Sequence, residues 1–203
     1  MTLNRDTPSR RLILALGLAC LARPAASQEE ARLSYKGFEV DLSAGSADRR
    51  EAVTAYVRRQ IDLVDGLMIK PDIKAYFRTV PITISPDLRI PGEFRNNTLT
   101  LADGVFAAEN PILLHELLHA YRRHRLTGGP LSPDLLRHYE EAKAKGTWPA
   151  DAYMYQDVSE FFSMTGSVAL WGRAARPPST RAELQAALPD CYAWLVAEFG
   201  LVV

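Results

Sequence analysis

The sequence predicts an α+β protein, with a small sheet in its first half and a largely helical second half. Two observations carry this. The short alternating or β-branched runs "FEVDLS" (38–43), "VPITIS" (80–85) and "NTLTLAD" (97–103) all fall before residue 104. After that point, apolar residues recur at helical spacing in successive segments punctuated by Gly and Pro.

Taken in order, "FEVDLS" reads as a first strand. "SADRREAVTAYVRRQIDLVDGLM" then sets Ala52, Val53, Tyr56, Val57, Ile61 and Val64 on one helical stripe, with Ser46 or Asp48 as cap. Pro71 opens a short helix, "PDIKAYFRT". The two further strands are separated by "PDLRIPGEFRN", which is rich in turn formers. In "NPILLHELLHAYRRHR" (110–125), Asn110 is expected to cap and Pro111 to take the first helical position. Arg122, Arg123 and Arg125 crowd the last turn, where the helix dipole favours cations. Gly128-Gly129-Pro130 stops that helix, "SPDLLRHYEEAKAKG" (132–146) is a helix capped at Ser132, and "DVSEFFSMTGSVALWG" (157–172) is another, ended by Gly172 and the following "RPP". "STRAELQAALPDCYAWLVAEFG" closes the chain with one or two helices around Pro189.

The first thirty residues read as an address. A positive segment, "MTLNRDTPSRR", precedes an apolar core, "LILALGLACLA", and a small-residue region, "RPAASQEE". The core is too short to span a bilayer, which needs roughly twenty apolar residues. Cleavage with Ala25 and Ser27 at the −3 and −1 positions removes residues 1–27 as a signal peptide and starts the mature chain near Gln28. "SRRLIL" resembles the twin-arginine export motif, so the protein is expected to be exported, periplasmic or secreted. Residues 28–203 then form a single domain with no membrane span and one cysteine, Cys191, which excludes an intrachain disulfide and a thiolate-rich metal site. Lys+Arg and Asp+Glu balance at 24 each, so no overall field recruits nucleic acid.

The chemistry centres on His115-Glu116-Leu117-Leu118-His119. On a helix, residues four apart lie one turn apart on the same face, so both imidazoles can meet one ion, while Glu116 is rotated about 100° from His115. A bound ion acidifies a water from pKa ~16 toward ~7, and Glu116 stands close enough to take its proton. With four histidines in the chain, this pattern arises by chance with a probability on the order of one per cent. A third ligand is needed. His124 is one residue short of the metzincin position, where Arg125 stands, and His138 points from a charged helix beside Glu140 and Glu141, as a solvated histidine would. Glu160 sits before Phe161 and Phe162 in an otherwise apolar helix, where a lone carboxylate is costly unless paired or bound to metal. His115, His119 and Glu160 are therefore the expected ligands, and Zn²⁺ suits two imidazoles and a carboxylate.

"HELLHA", "HYEEAKAKGTW" and "YMYQDVSEFF", in that order, resemble the elements of the anthrax lethal factor catalytic-domain-like zinc peptidases. The resemblance covers about 108 to 170 and implies a zincin-like fold: a small twisted sheet on the active-site helix, with a helical C-terminal part. It implies Glu116 as general base and Tyr153, seven residues before Glu160, as a donor to the substrate carbonyl. It also makes "NTLTLA" the edge strand on which an extended peptide or protein substrate lies. The family's "E-F-F-A-E" places a second acid where this chain has Met164, and thermolysin-like enzymes also place an aspartate there. Asp157 or Glu140 is left to steady a ligand histidine. The expected function is an exported zinc metallopeptidase. The alternatives are a zinc-binding module without turnover that binds protein partners, or an amidase acting on cell-wall peptides.

Overall fold

The computed structural model describes residues 31–107 and 110–202, so the signal-peptide reading of residues 1–27 lies outside it. Five strands form one sheet: β1 (Arg32–Tyr35), β2 (Phe38–Asp41), β3 (Ile82–Ser85), β4 (Gly92–Arg95) and β5 (Thr98–Ala102), in the order β1-β2-β3-β5-β4. The β1/β2 and β4/β5 pairs are antiparallel hairpins, while β2/β3 and β3/β5 run parallel. Burial alternates along β2 and β3, so one face of the sheet meets the core.

Between β2 and β3 the chain crosses over through α1 (Arg50–Asp65) and α2 (Pro71–Thr79), and after β5 it continues as α3 (Ile112–His124), α4 (Pro133–Lys145), α5 (Val158–Trp171), α6 (Arg181–Ala187) and α7 (Pro189–Phe199). Ser132 accepts a hydrogen bond from the Leu135 amide and caps α4, while Gly146 and Gly172 end α4 and α5 in the left-handed conformation. Every residue from Phe161 to Leu170 is buried, as a helix central to a fold requires. α5 packs against α3, and Gly166 makes their close approach possible: a Cβ there would lie 3.1 Å from Leu118 Cδ1. The buried apolar residues of sheet and helices form one cluster. Among the described residues, no helix is long and apolar enough to cross a membrane.

Three sequence expectations need correction. The edge of the sheet is β4, not "NTLTLA": β5 lies between β3 and β4. "GEFR", read as turn, is a strand because Asn96 and Asn97, both at positive φ, make the two-residue turn that folds it back on β5. Asn110 does not cap α3 with its side chain, and Pro111 occupies the N-cap position. From α1, Gln60 Oε1 accepts from the Leu113 amide (3.1 Å), and Gln60 Nε2 donates to the Asn110 carbonyl (3.2 Å).

Candidate metal centre

α3 and α5 bring three of the expected residues together. His115 and His119 lie one turn apart on α3, and Glu160 enters from the first turn of α5. Their donor atoms all lie within 4.8 Å of one another. The two Nε2 atoms are 3.0 Å apart, Glu160 Oε2 is 3.2 Å from His115 Nε2, and Oε1 is 3.4 Å from His119 Nε2. Four ligands arranged tetrahedrally about 2.0–2.1 Å from a zinc ion stand roughly 3.3 Å from each other. The three donors thus outline one face of such a tetrahedron and leave the fourth position to other atoms. Glu160 Oε2 is buried without a hydrogen-bond partner among the described residues, the condition expected of a ligand atom. Burial alone would raise the Glu160 carboxyl, but the close imidazoles of His115 and His119 outweigh it and hold it well below the usual carboxylate range. The donor set fits a zinc ion.

The support for the ligands comes from a residue the sequence reading missed. Ser159 Oγ lies 2.7 Å from His119 Nδ1, and when Nδ1 carries the proton and donates to that oxygen, Nε2 is left free to bind a metal. Asp157 instead caps α5, its Oδ1 accepting from the Ser159 and Glu160 amides (2.6 and 2.9 Å), and Glu140 is exposed. His115 Nδ1 has no hydrogen-bond partner among the described residues. The only sequence signal for Ser159 was its place one residue before Glu160, where a serine looks like ordinary helix-start chemistry.

Glu116 is buried beside this centre. Burial pushes its carboxyl up, and the imidazoles of His115 and His119 offset part of the rise. Gly92 of β4 lies against it: a Cβ there would meet Ile112 Cγ2 at 2.8 Å and Glu116 Cγ at 2.9 Å. The edge strand therefore touches the acid directly, and only a glycine permits the approach. Tyr153 stands in a 3-10 turn (Tyr153–Tyr155) before α5, its ring 6.3 Å from that of His115. Burial and the neighbouring Glu160 push its phenol up to about 12, so it holds its proton at neutral pH. Tyr155 is a packing residue, donating to the Ala142 carbonyl (2.9 Å). A pocket of about 150 Å³ opens between these groups, bordered by His115, Glu116, Tyr153 and Gly92.

His138 belongs to none of this. It is buried, 2 % exposed, rather than solvated, with its ring 5.3 Å from that of Trp194 on α7. Burial and the adjacent Arg137 push its imidazole below the usual range. The charged neighbours on α4 concealed a face that α7 covers.

No family model matches the chain, and no curated protein sequence matches it. Among solved structures, it is similar to a Pro-Pro endopeptidase from Paenibacillus alvei, with a TM-score of 0.51 and 15 % identity over 79 % of this chain and 96 % of that one. At this identity the likeness is one of fold, and the fold is the zincin-like α+β arrangement described above.

Proposed function

We propose that the chain is an exported zinc metallopeptidase that hydrolyses peptide bonds in a protein or peptide substrate. The observation that carries this is the three-donor face of His115, His119 and Glu160 with a buried acid, Glu116, beside it. The resemblance of its motifs to the lethal factor-like peptidases supports the reading, as does the likeness of fold to an endopeptidase.

His115, His119 and Glu160 would hold a zinc ion, which when bound would lower the pKa of a water and polarise the substrate carbonyl. Glu116 takes the proton from the attacking water as its oxygen bonds to the carbonyl carbon. It then returns a proton to the nitrogen as the C–N bond breaks, leaving a carboxylic acid and an amine. Burial makes the carboxylate a stronger base toward that water, and the acid then holds the proton until the leaving nitrogen takes it. Tyr153 keeps its phenolic proton and donates to the oxygen that becomes negative. β4 ends the sheet, so its outward backbone groups can hold an extended peptide main chain to main chain.

One observation favours a second reading, a zinc-loaded binding module without turnover: among the described residues His115 Nδ1 has no partner, and Met164 stands where an acid would provide one. An amidase acting on cell-wall peptides would share every residue named and differ in substrate alone. The test is Glu116→Gln in the purified mature chain. The variant should keep zinc and lose about 10²–10⁴-fold in hydrolysis, while Tyr153→Phe should lose roughly 10–10³-fold. Chelator-sensitive cleavage that survives Glu116→Gln would remove α3 as the catalytic centre, and zinc without any cleavage would select the binding module. Export is tested separately, since replacing Arg10 and Arg11 by Lys should strand a twin-arginine substrate in the cytoplasm.

A further inference from the structure

The pocket beside Glu116 has an apolar wall containing Ile112 and Met164, and two polar side chains depart from it. Ser167 lines the pocket, is 1 % exposed, and its Oγ has no hydrogen-bond partner among the described residues. Two residues earlier on the same helix, Thr165 satisfies its hydroxyl by donating to the Phe161 carbonyl at 2.6 Å. A buried hydroxyl left without an acceptor is costly, and a ligand oxygen in the pocket would relieve that cost. The second departure is Arg176, which lines the same pocket from the exposed loop after α5. Its guanidinium carbon lies 4.5 Å from the centroid of the Tyr153 ring, so the cation is held over an aromatic face within the site. Among the described residues no carboxylate forms an ion pair with it. With a divalent ion in place, the ion's two charges balance Glu116 and Glu160, and Arg176 is left as the uncompensated charge of the pocket.

We propose that this pocket is the subsite for an acidic side chain, glutamate or aspartate, on the residue that flanks the scissile bond. A carboxylate is acceptor-only, and the two free groups of the pocket, guanidinium and hydroxyl, are donors. Lysine is rejected by Arg176, and a purely apolar side chain leaves both donors unmatched. The proposal rests on the metallopeptidase reading for the position of the scissile bond, but the pocket can be probed without turnover.

The experiment uses the zinc-loaded Glu116→Gln protein, titrated in a calorimeter with capped hexapeptides that carry Glu, Gln, Ala or Lys at successive positions of an alanine–glycine background. At one position, Glu should bind about fivefold more tightly than Gln at low salt, the size expected of an exposed charge pair, and the margin should shrink in high salt. Arg176→Ala should shrink the Glu-over-Gln margin, Arg176→Glu should abolish it, and Ser167→Ala should weaken Glu binding about tenfold. Equal binding of Glu and Gln, a margin untouched by Arg176→Ala, or no measurable binding of any peptide would each overturn the subsite. The wild-type protein is offered the same peptides. If it cleaves none of them while the Glu margin persists, the peptidase reading fails and the subsite stands; cleavage without a Glu margin does the reverse.

Discussion

Replacing Gly92 by alanine tests whether the edge strand positions Glu116, the proposed general base. The added methyl would lie 2.8 Å from Ile112 Cγ2, 2.9 Å from Glu116 Cγ and 3.1 Å from Glu116 Oε1. Carbon atoms pack best about 3.5–4.0 Å apart, so the acid or the strand must withdraw by roughly 0.6 Å or more. Ile112 and Glu116 share α3 and are both buried, so neither can simply turn into solvent. Overpacking of this kind costs about 1–3 kcal/mol, and each kcal/mol lowers the melting temperature of a chain this size by about 2–4 °C. A reacting group misplaced by ~1 Å costs about 10²-fold in rate, so a shift of a little over half that should lower kcat by at least about tenfold. The nearest atoms to a Cβ at position 92 belong to Ile112 and Glu116 and not to His115, His119 or Glu160, so metal content should not change. The assay is kcat and KM on a fluorogenic peptide well below the melting temperature, with zinc counted by atomic spectroscopy. An unchanged kcat would show that the contact between β4 and Glu116 does not set the geometry of the reaction, and loss of zinc along with kcat would show general collapse instead.

Ser159→Ala should weaken zinc binding about 10–100-fold in competition with a chelator, because His119 loses its Nδ1 partner while Asp157 still caps the helix; unchanged affinity would refute the supporting role. Glu160→Ala should lower zinc affinity by orders of magnitude, whereas His138→Ala should keep zinc and lower only the melting temperature, since it removes a buried ring beside Trp194. The reverse pattern would unseat the ligand assignment. The Lys36 ammonium, 2.7 Å from Asp62, holds that carboxyl below its usual value. Its contribution to stability is complete above about pH 4 and is lost as pH falls through the folded-state value. Lys36→Met should therefore flatten the acid limb of the melting curve by a small amount, the pair being exposed, and superimposable curves would contradict this.

What the sequence revealed depended on whether the signal was local. The histidines four apart and the lone acid before two phenylalanines follow from helical periodicity and desolvation, and both can be read without knowing any neighbour. β4 could not be read this way: a glycine, a glutamate and an arginine in four residues carry little strand preference, and they extend only because β5 pairs with them and α3 packs beneath. His138 was misread because Arg137, Glu140 and Glu141 describe a solvated helix face, while the residue that covers it, Trp194, lies on α7. Arg176 looked like punctuation after a helix, since its place over Tyr153 exists only once the loop has folded back. In each case the missing information was the identity of a neighbour distant in sequence.

The amide side chain of Gln60 has a consequence for when the protein becomes active. By bonding both the carbonyl of Asn110 and the amide of Leu113, it joins the first crossover helix to the start of the helix that carries His115 and Glu116, fifty positions later. A chain emerging from synthesis has its histidines long before it has their arrangement, because the start of that helix lacks a side-chain cap of its own. In the folded chain the docked upstream helix holds the start of the helix that carries both histidines, and Glu160 comes from a segment later in the sequence. A half-made or unfolded chain therefore carries the residues of the proposed hydrolase but not its centre.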